Sequence, residues 1–178
     1  MPLIFRETPL KGAYIIDSKR FVDERGFFSE VFHQGEFEEK GILAGFVQTN
    51  LSHNKFKGTL RGLHSQKPPH AEVKLVRCVQ GRIWDVMVDV RPDSQTYGDY
   101  YGIELSAENA LAAYIPQGFL HGFLTLEDDS DVLYQVSAHY QPTAAHSARY
   151  DDPAFNIAWP FSPSVVSAQD QAWPPFKR

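Results

Sequence analysis

The chain is cut into short runs of alternating apolar and polar residues, each closed by a Gly, a Pro or an Asp-rich turn, and this punctuation leaves little room for helix. Runs of this kind cover residues 12–16, 46–52, 58–66, 73–79, 82–90, 98–105, 110–115 and 132–140. A further strand follows the turn Asp23-Glu24-Arg25-Gly26. A strand has one face to bury, so many short strands must stack as two sheets or close into a barrel. Residues 73–79 and 82–90 read as a hairpin around Gln80-Gly81. The one short helical stretch is 37–45, ended by Gly41 or Gly45. No repeat, low-complexity tract or linker divides the chain, so residues 1–178 are expected to form one domain.

Charge and cysteine content narrow the function classes. The formal net charge is −5, which argues against non-specific nucleic-acid binding, so an anionic ligand would need a local cluster of Arg and Lys. No apolar run reaches transmembrane length, and the start Met1-Pro2-Leu3-Ile4-Phe5-Arg6 lacks a signal-peptide pattern. Cys78 is the single cysteine, which excludes an internal disulfide and fits a reducing compartment. These features predict a cytoplasmic protein with no membrane and no nucleic-acid partner.

Residues 58–66, Gly-Thr-Leu-Arg-Gly-Leu-His-Ser-Gln, carry the most informative candidate. Alternation puts Leu60, Gly62, His64 and Gln66 on one face and Arg61, Leu63 and Ser65 on the other. His64 is then either a satisfied core histidine or a titratable group held in a pocket. Gln48 and Asn50 share a face of their strand, which suits a polar ligand or a strand-end turn. Lys74 sits in an apolar strand, where a lysine is seldom placed unless paired or working. Arg25 and Glu30 read as plain surface charges on their own.

The run Pro116-Gln117-Gly118-Phe119-Leu120-His121 resembles the second cupin motif, proline-x-glycine-x-x-histidine. Cupins are double-sheet jelly rolls. In metal-binding cupins a glutamate ligand stands seven residues before a glycine, and here Gly81 is preceded at that spacing by Lys74. His70 stands where one ligand histidine would be, but Pro68 takes the place of the other. A cation in place of an anionic ligand repels a divalent ion, so no metal site is expected. No glycine-rich dinucleotide turn is present, and no cofactor is expected.

Taken together in order, Asp23-Glu24-Arg25-Gly26-Phe27-Phe28, Gln48-Thr49-Asn50, Leu60-Arg61-Gly62-Leu63-His64, Lys74-Leu75-Val76-Arg77, the Pro116–His121 motif, Tyr134, Tyr140-Gln141-Pro142, Asp151-Asp152-Pro153, Ile157-Ala158-Trp159-Pro160 and Ser167-Ala168-Gln169-Asp170 resemble the dTDP-4-dehydrorhamnose 3,5-epimerase family. The likeness runs from Asp23 to Asp170. It implies an all-β, cupin-type double-sheet jelly roll with short peripheral helices, acting as an isomerase on a nucleotide-linked 4-keto-6-deoxyhexose. That chemistry needs a base on one face of the sugar ring, an acid on the other and a donor at the ketone oxygen. The resemblance assigns His64 as base, Asp170 as its orienting partner, Lys74 near the oxyanion, and Tyr134 as the acid. His121 adds a donor. Arg25, Glu30, Gln48, Asn50 and Arg61 would contact nucleotide and diphosphate, and Tyr140 would stack on the base. Family members are homodimers with exchanged N-terminal strands, so Arg25, Phe28 and Glu30 would serve the neighbouring subunit's site.

The chain departs from the family pattern at three places. Ser65 replaces the usual aromatic after the histidine, Ala145 replaces a glutamate, and Gln169 replaces a lysine. The last two touch the expected nucleotide contacts, which keeps open a mono-epimerase or an enzyme of another nucleotide sugar, GDP-linked or heptose. A carbohydrate-binding cupin without turnover is the non-enzymatic alternative. The intact set His64, Lys74, Tyr134 and Asp170 weighs against it.

Overall fold

Alternation along each strand sorts the chain into two stacked sheets with three apolar layers. The computed structural model describes residues 3–177. In chain order the elements are β1 (Leu3–Glu7), β2 (Tyr14–Ser18), β3 (Phe21–Asp23), β4 (Gly26–Phe28), α1 (Gln34–Glu39), β5 (Gln48–Asn54), β6 (Thr59–Gln66), β7 (Lys74–Gln80), β8 (Arg82–Asp89) and β9 (Tyr100–Ser106). They continue as β10 (Ala112–Ile115), β11 (Phe119–Thr125), β12 (Ser130–Val136), a 3₁₀ turn (Pro142–Ala144), β13 (Ala145–Ser147), β14 (Val165–Val166) and α2 (Ala168–Gln171). One six-stranded sheet has the order β1-β2-β10-β7-β12-β5. The other runs β13-β6-β11-β8-β9, with β14 added in parallel to β6. The β3–β4 hairpin stands apart from both.

The layer between the sheets holds Ile15, Val76, Ala113, Ile115 and Val132 from the first sheet against Ile83, Met87, Leu105, Phe119 and Phe123 from the second. The outer face of the first sheet is covered by α1, whose Phe37 packs on Leu3, Ile16, Leu75 and Tyr114. The outer face of the second sheet, with Leu63, Val86, Val88 and Leu120, is covered by the C-terminal segment through Phe155, Trp159 and Phe176. Asp152 ties that segment down by accepting from the Phe176 backbone N–H at 2.7 Å. The fold is thus a double-sheet β sandwich with short peripheral helices, as the sequence predicts. Among the described residues, no helix is long and apolar enough to cross a membrane.

Three local expectations are corrected. The predicted hairpin of residues 73–79 and 82–90 does not form: β7 pairs with β10 and β12, while β8 pairs with β11 and β9 in the other sheet. Gln80 stays in the ladder opposite Asp131, so Gly81 alone joins the two strands, at φ +71°. One left-handed residue redirects the chain between layers, whereas a two-residue hairpin turn would have returned it to the same sheet. The strand expected over 132–140 stops at Val136, because Gln66 draws the chain away. Its amide donates to the His139 carbonyl at 3.2 Å and its Oε1 accepts from the Gln141 N–H at 2.6 Å. The helix lies earlier than expected, capped by His33, with Gly41 at φ +74° just past its end.

A fourth correction shapes the site. Opposite β11, strand β6 carries one extra residue: His121 faces His64, but Phe123 faces Arg61. This bulge shifts the alternation, so Arg61 and His64 both turn inward. Two glycines permit it. A Cβ on Gly62, at φ +129°, would lie 2.6 Å from the Gly122 Cα, and one on Gly122 would lie 2.8 Å from the Arg61 carbonyl oxygen.

Candidate active site

The sandwich opens along the side where β5 and β6 face each other, and the cleft there has two lobes. The smaller, about 350 Å³, is bordered by Gln48, Asn50, Gln66, Glu72, Tyr140 and Trp173, among others. The larger, about 560 Å³, is bordered by Ser52, Arg61, His121, Phe123, Ser167 and Asp170, among others. His64, Lys74 and Tyr134 border both, with Gln169. His64 comes from one sheet, and Lys74 and Tyr134 come from the other, so the three face one another across the sandwich.

His64 is partly open to the cleft, and its Nε2 lies 2.5 Å from Asp170 Oδ1. Asp170 is buried and sits in the first turn of α2, where its backbone N–H is capped by Ser167 Oγ at 3.0 Å. Trp173 Nε1 donates to Asp170 Oδ1 at 3.3 Å, and the Gly62 N–H donates to Oδ2 at 3.3 Å. Burial pushes the Asp170 carboxyl up, but the hydrogen bond and charge of His64, with the Gly62 and Trp173 donors, outweigh it and hold the group below the usual carboxylate range. Asp170 is therefore an anion at neutral pH. An anion can only accept, so it takes the Nε2 proton and leaves the Nδ1 lone pair of a neutral ring available.

Lys74 Nζ donates to the His64 carbonyl oxygen at 3.0 Å and lies 3.3 Å from Glu72 Oε1. Burial lowers its pKa, partly restored by the charge of Glu72 and of Asp85. Tyr134 is raised by burial, against the opposing charge of Arg61, and so remains a protonated phenol at neutral pH. His121 Nε2 lies 2.7 Å from Asp85 Oδ2, and the Asp85 side chain is wholly buried.

The polar residues expected on the binding side fall into two groups. Gln48 and Asn50 share the inward face of β5 and are joined by a 2.7 Å amide hydrogen bond. Arg61 is anchored through Nε to Asn54 Oδ1 at 2.8 Å. Tyr140 stands at the rim with 67% of its surface exposed, on the segment pinned by Gln66. Arg25, Phe28 and Glu30 do not border either lobe of their own chain's cleft. Arg25 lies in the turn of the exposed β3–β4 hairpin with Asp23 as its partner, Phe28 ends that hairpin, and Glu30 follows it. Ser65 borders the smaller lobe, against the alternation that would turn it away, and its hydroxyl donates to the His146 carbonyl at 3.3 Å.

Sequence reasoning missed Glu72, Asp85 and Trp173. The signal for Asp85 was available: a carboxylate inside Ile83-Trp84-Asp85-Val86-Met87 is as anomalous as Lys74 in its strand. Trp173 stands three residues after Asp170, across one turn of α2, and that i,i+3 spacing was the signal for it. Among the described residues, no group of three or more His, Cys, Asp or Glu side chains is placed to hold a metal ion.

Residues 7–178 match the family model described as dTDP-4-dehydrorhamnose 3,5-epimerase. The chain is 44% identical over 174 residues to the dTDP-4-dehydrorhamnose 3,5-epimerase of Salmonella typhimurium, covering 97% of this chain and 94% of that one. It superposes with a TM-score of 0.94 on the crystal structure of the dTDP-4-dehydrorhamnose 3,5-epimerase of Elizabethkingia anophelis, at 43% identity over 98% of this chain and 96% of the other. It also superposes, with a TM-score of 0.90, 40% identity and coverage of 96% and 91%, on an epimerase of Legionella pneumophila solved in complex with dTDP-4-keto-L-rhamnose.

Proposed function

The chain belongs to the dTDP-4-dehydrorhamnose 3,5-epimerase family of isomerases, and from that premise we propose that it inverts carbons 3 and 5 of dTDP-4-dehydro-6-deoxy-D-glucose in deoxysugar biosynthesis. The observation that carries the reading is the cleft itself. His64, Lys74 and Tyr134 border both lobes, with His64 in contact with Asp170.

A proton next to a ketone is acidic only because the developing enolate charge can be stabilised. His64 takes that proton with Nδ1, while Asp170 holds the Nε2–H and stabilises the imidazolium that forms. Lys74 places a buried positive charge beside the reacting centre, where the low dielectric strengthens its pull on the enolate oxygen. Tyr134 reaches the ring from the opposite sheet and returns a proton to the other face, which is what inversion requires. His121 adds a donor, aligned by Asp85. Every group in this scheme is a side chain, so turnover is expected to continue in the presence of a chelator and without added cofactor.

The nucleoside diphosphate would be held by Arg61, with Gln48, Asn50 and Tyr140 on the sugar and base. Arg matches phosphate geometry bidentately. Arg25, Phe28 and Glu30 would complete the site of a second subunit. Their position outside their own cleft supports this, as do the exposed Phe27 and Phe28 on the same hairpin and the free outer edge of β1. The test is incubation with a panel of 4-keto nucleotide sugars in deuterated water. The reading expects deuterium at carbons 3 and 5 of the dTDP substrate with inversion at both. Exchange and inversion at carbon 3 alone would make the protein a mono-epimerase, a preference for a GDP-linked sugar would relocate the substrate, and no exchange with any substrate would leave a binding protein.

A further inference from the structure

A buried ammonium group needs a fixed partner, and in this cleft Lys74 has one that the proposed scheme does not use. Glu72 lies two residues before Lys74, just ahead of β7, and both side chains border the smaller lobe. Side-chain exposure is 13% for Lys74 and 6% for Glu72. Glu72 Oε1 lies 3.3 Å from Lys74 Nζ, while Oε2 is buried with no hydrogen-bond partner and the residue borders the smaller lobe. A carboxylate kept only for the fold would have both oxygens satisfied, because an unpaired buried acceptor is costly. Glu72 gives one oxygen to Lys74, and the pair borders the smaller lobe together.

We propose that Glu72 is a positioning residue for the reaction, holding the Lys74 ammonium group between its own carboxylate and the His64 carbonyl. This rests on the reading of Lys74 as the oxyanion partner. Without Glu72, the nitrogen would keep a neutral carbonyl as its only close acceptor. The charged and titratable groups around the lysine are then Arg61 and His64 from β6, Asp85 from β8, His121 from β11, Tyr134 from β12 and Asp170 from α2. Of these, Asp85 is the one that also favours the charged lysine, and it is engaged by His121.

The test is to titrate Lys74 directly, by NMR of the intact protein labelled with ¹⁵N at the lysine side-chain nitrogens, with the Lys74 signal assigned by its loss in Lys74→Arg. Glu72→Gln keeps the shape and removes the charge. Its Lys74 midpoint is expected to fall by about one pH unit, roughly a tenfold change in the ionisation ratio. The alkaline limb of kcat should move down with it while KM changes little. Glu72→Asp keeps the charge at shorter reach and should recover most of the shift. A Lys74 midpoint unchanged in Glu72→Gln would overturn the proposal, as would an Asp variant that behaves like the Gln variant. If the midpoint falls but the alkaline limb stays in place, Glu72 holds Lys74 as proposed, and the assignment of Lys74 to the oxyanion is the part that fails.

Discussion

Asp170→Asn separates the ring-orienting role from mere packing, because three donors converge on this carboxylate. His64 Nε2 and Trp173 Nε1 donate to Oδ1, and the Gly62 N–H donates to Oδ2. An asparagine has the same shape but one acceptor oxygen and one NH₂ group. If its oxygen faces His64 and Trp173, the NH₂ opposes the buried Gly62 N–H. If it is turned over, the NH₂ faces His64 Nε2 and forces the proton to Nδ1, where the base should be. Either way a donor loses its acceptor, the buried Gly62 N–H in one case and the half-buried Trp173 Nε1–H in the other, a cost of about 1–3 kcal/mol in stability where the donor is fully buried. The imidazolium also loses its anion. A charge-assisted hydrogen bond is worth about 1.5–3 kcal/mol, which is roughly 10–10²-fold in rate, and a wrong tautomer extends the loss to about 10⁴-fold. The expected result is a kcat lowered by about 10²–10⁴ with KM little changed, measured by coupled assay, and a Tm lower by several degrees in a thermal scan. Nucleotide affinity should persist, since Arg61, Gln48 and Asn50 are untouched. A folded Asp170→Asn protein with kcat close to wild type would refute the reasoning.

Tyr134→Phe should lose about 10²–10⁴-fold in product formation yet still exchange solvent deuterium into the substrate without net inversion, because His64 can return the proton to the face it came from. Asp89 is wholly buried among Arg91, Ser94 and Thr96. Burial pushes its carboxyl up, but those donors outweigh it and bring the pKa to about 2. Its folded pKa is below the unfolded value of about 4, so its contribution of about 2 kcal/mol is present above pH 4 and is lost as pH falls toward 2. Asp89→Asn should flatten that part of a denaturation-versus-pH curve and lower stability at neutral pH by a similar amount. Sedimentation at micromolar concentration should find a dimer, and Arg25→Ala should weaken substrate binding without changing the exchange chemistry. An active monomer would contradict the shared site.

The sandwich was legible because turn residues and period-two runs are local signals, and each strand's buried face follows from its own sequence. Sheet membership is not local. Residues 73–79 and 82–90 have the pattern of a hairpin, and only the competition of β10 and β12 for the edges of β7 sends β8 to the other layer. The site divides in the same way. His64, Lys74 and Tyr134 stood out as polar groups on apolar strands or in a motif. Arg61 was placed on the wrong face because its strand gains a residue at Gly62, and a bulge cannot be read from alternation. Glu72 carries no signal in the sequence, and only the fold buries it against Lys74. Asp170 reaches His64 only because α2 folds back over β6.

The most direct test of the account is solvent deuterium uptake by His64→Asn. With His64 as the base, the variant should bind the nucleotide sugar, form no product and incorporate no deuterium above the uncatalysed background. Wild-type protein under the same conditions should label the substrate. Uptake by His64→Asn at the wild-type rate would mean that another residue is the base.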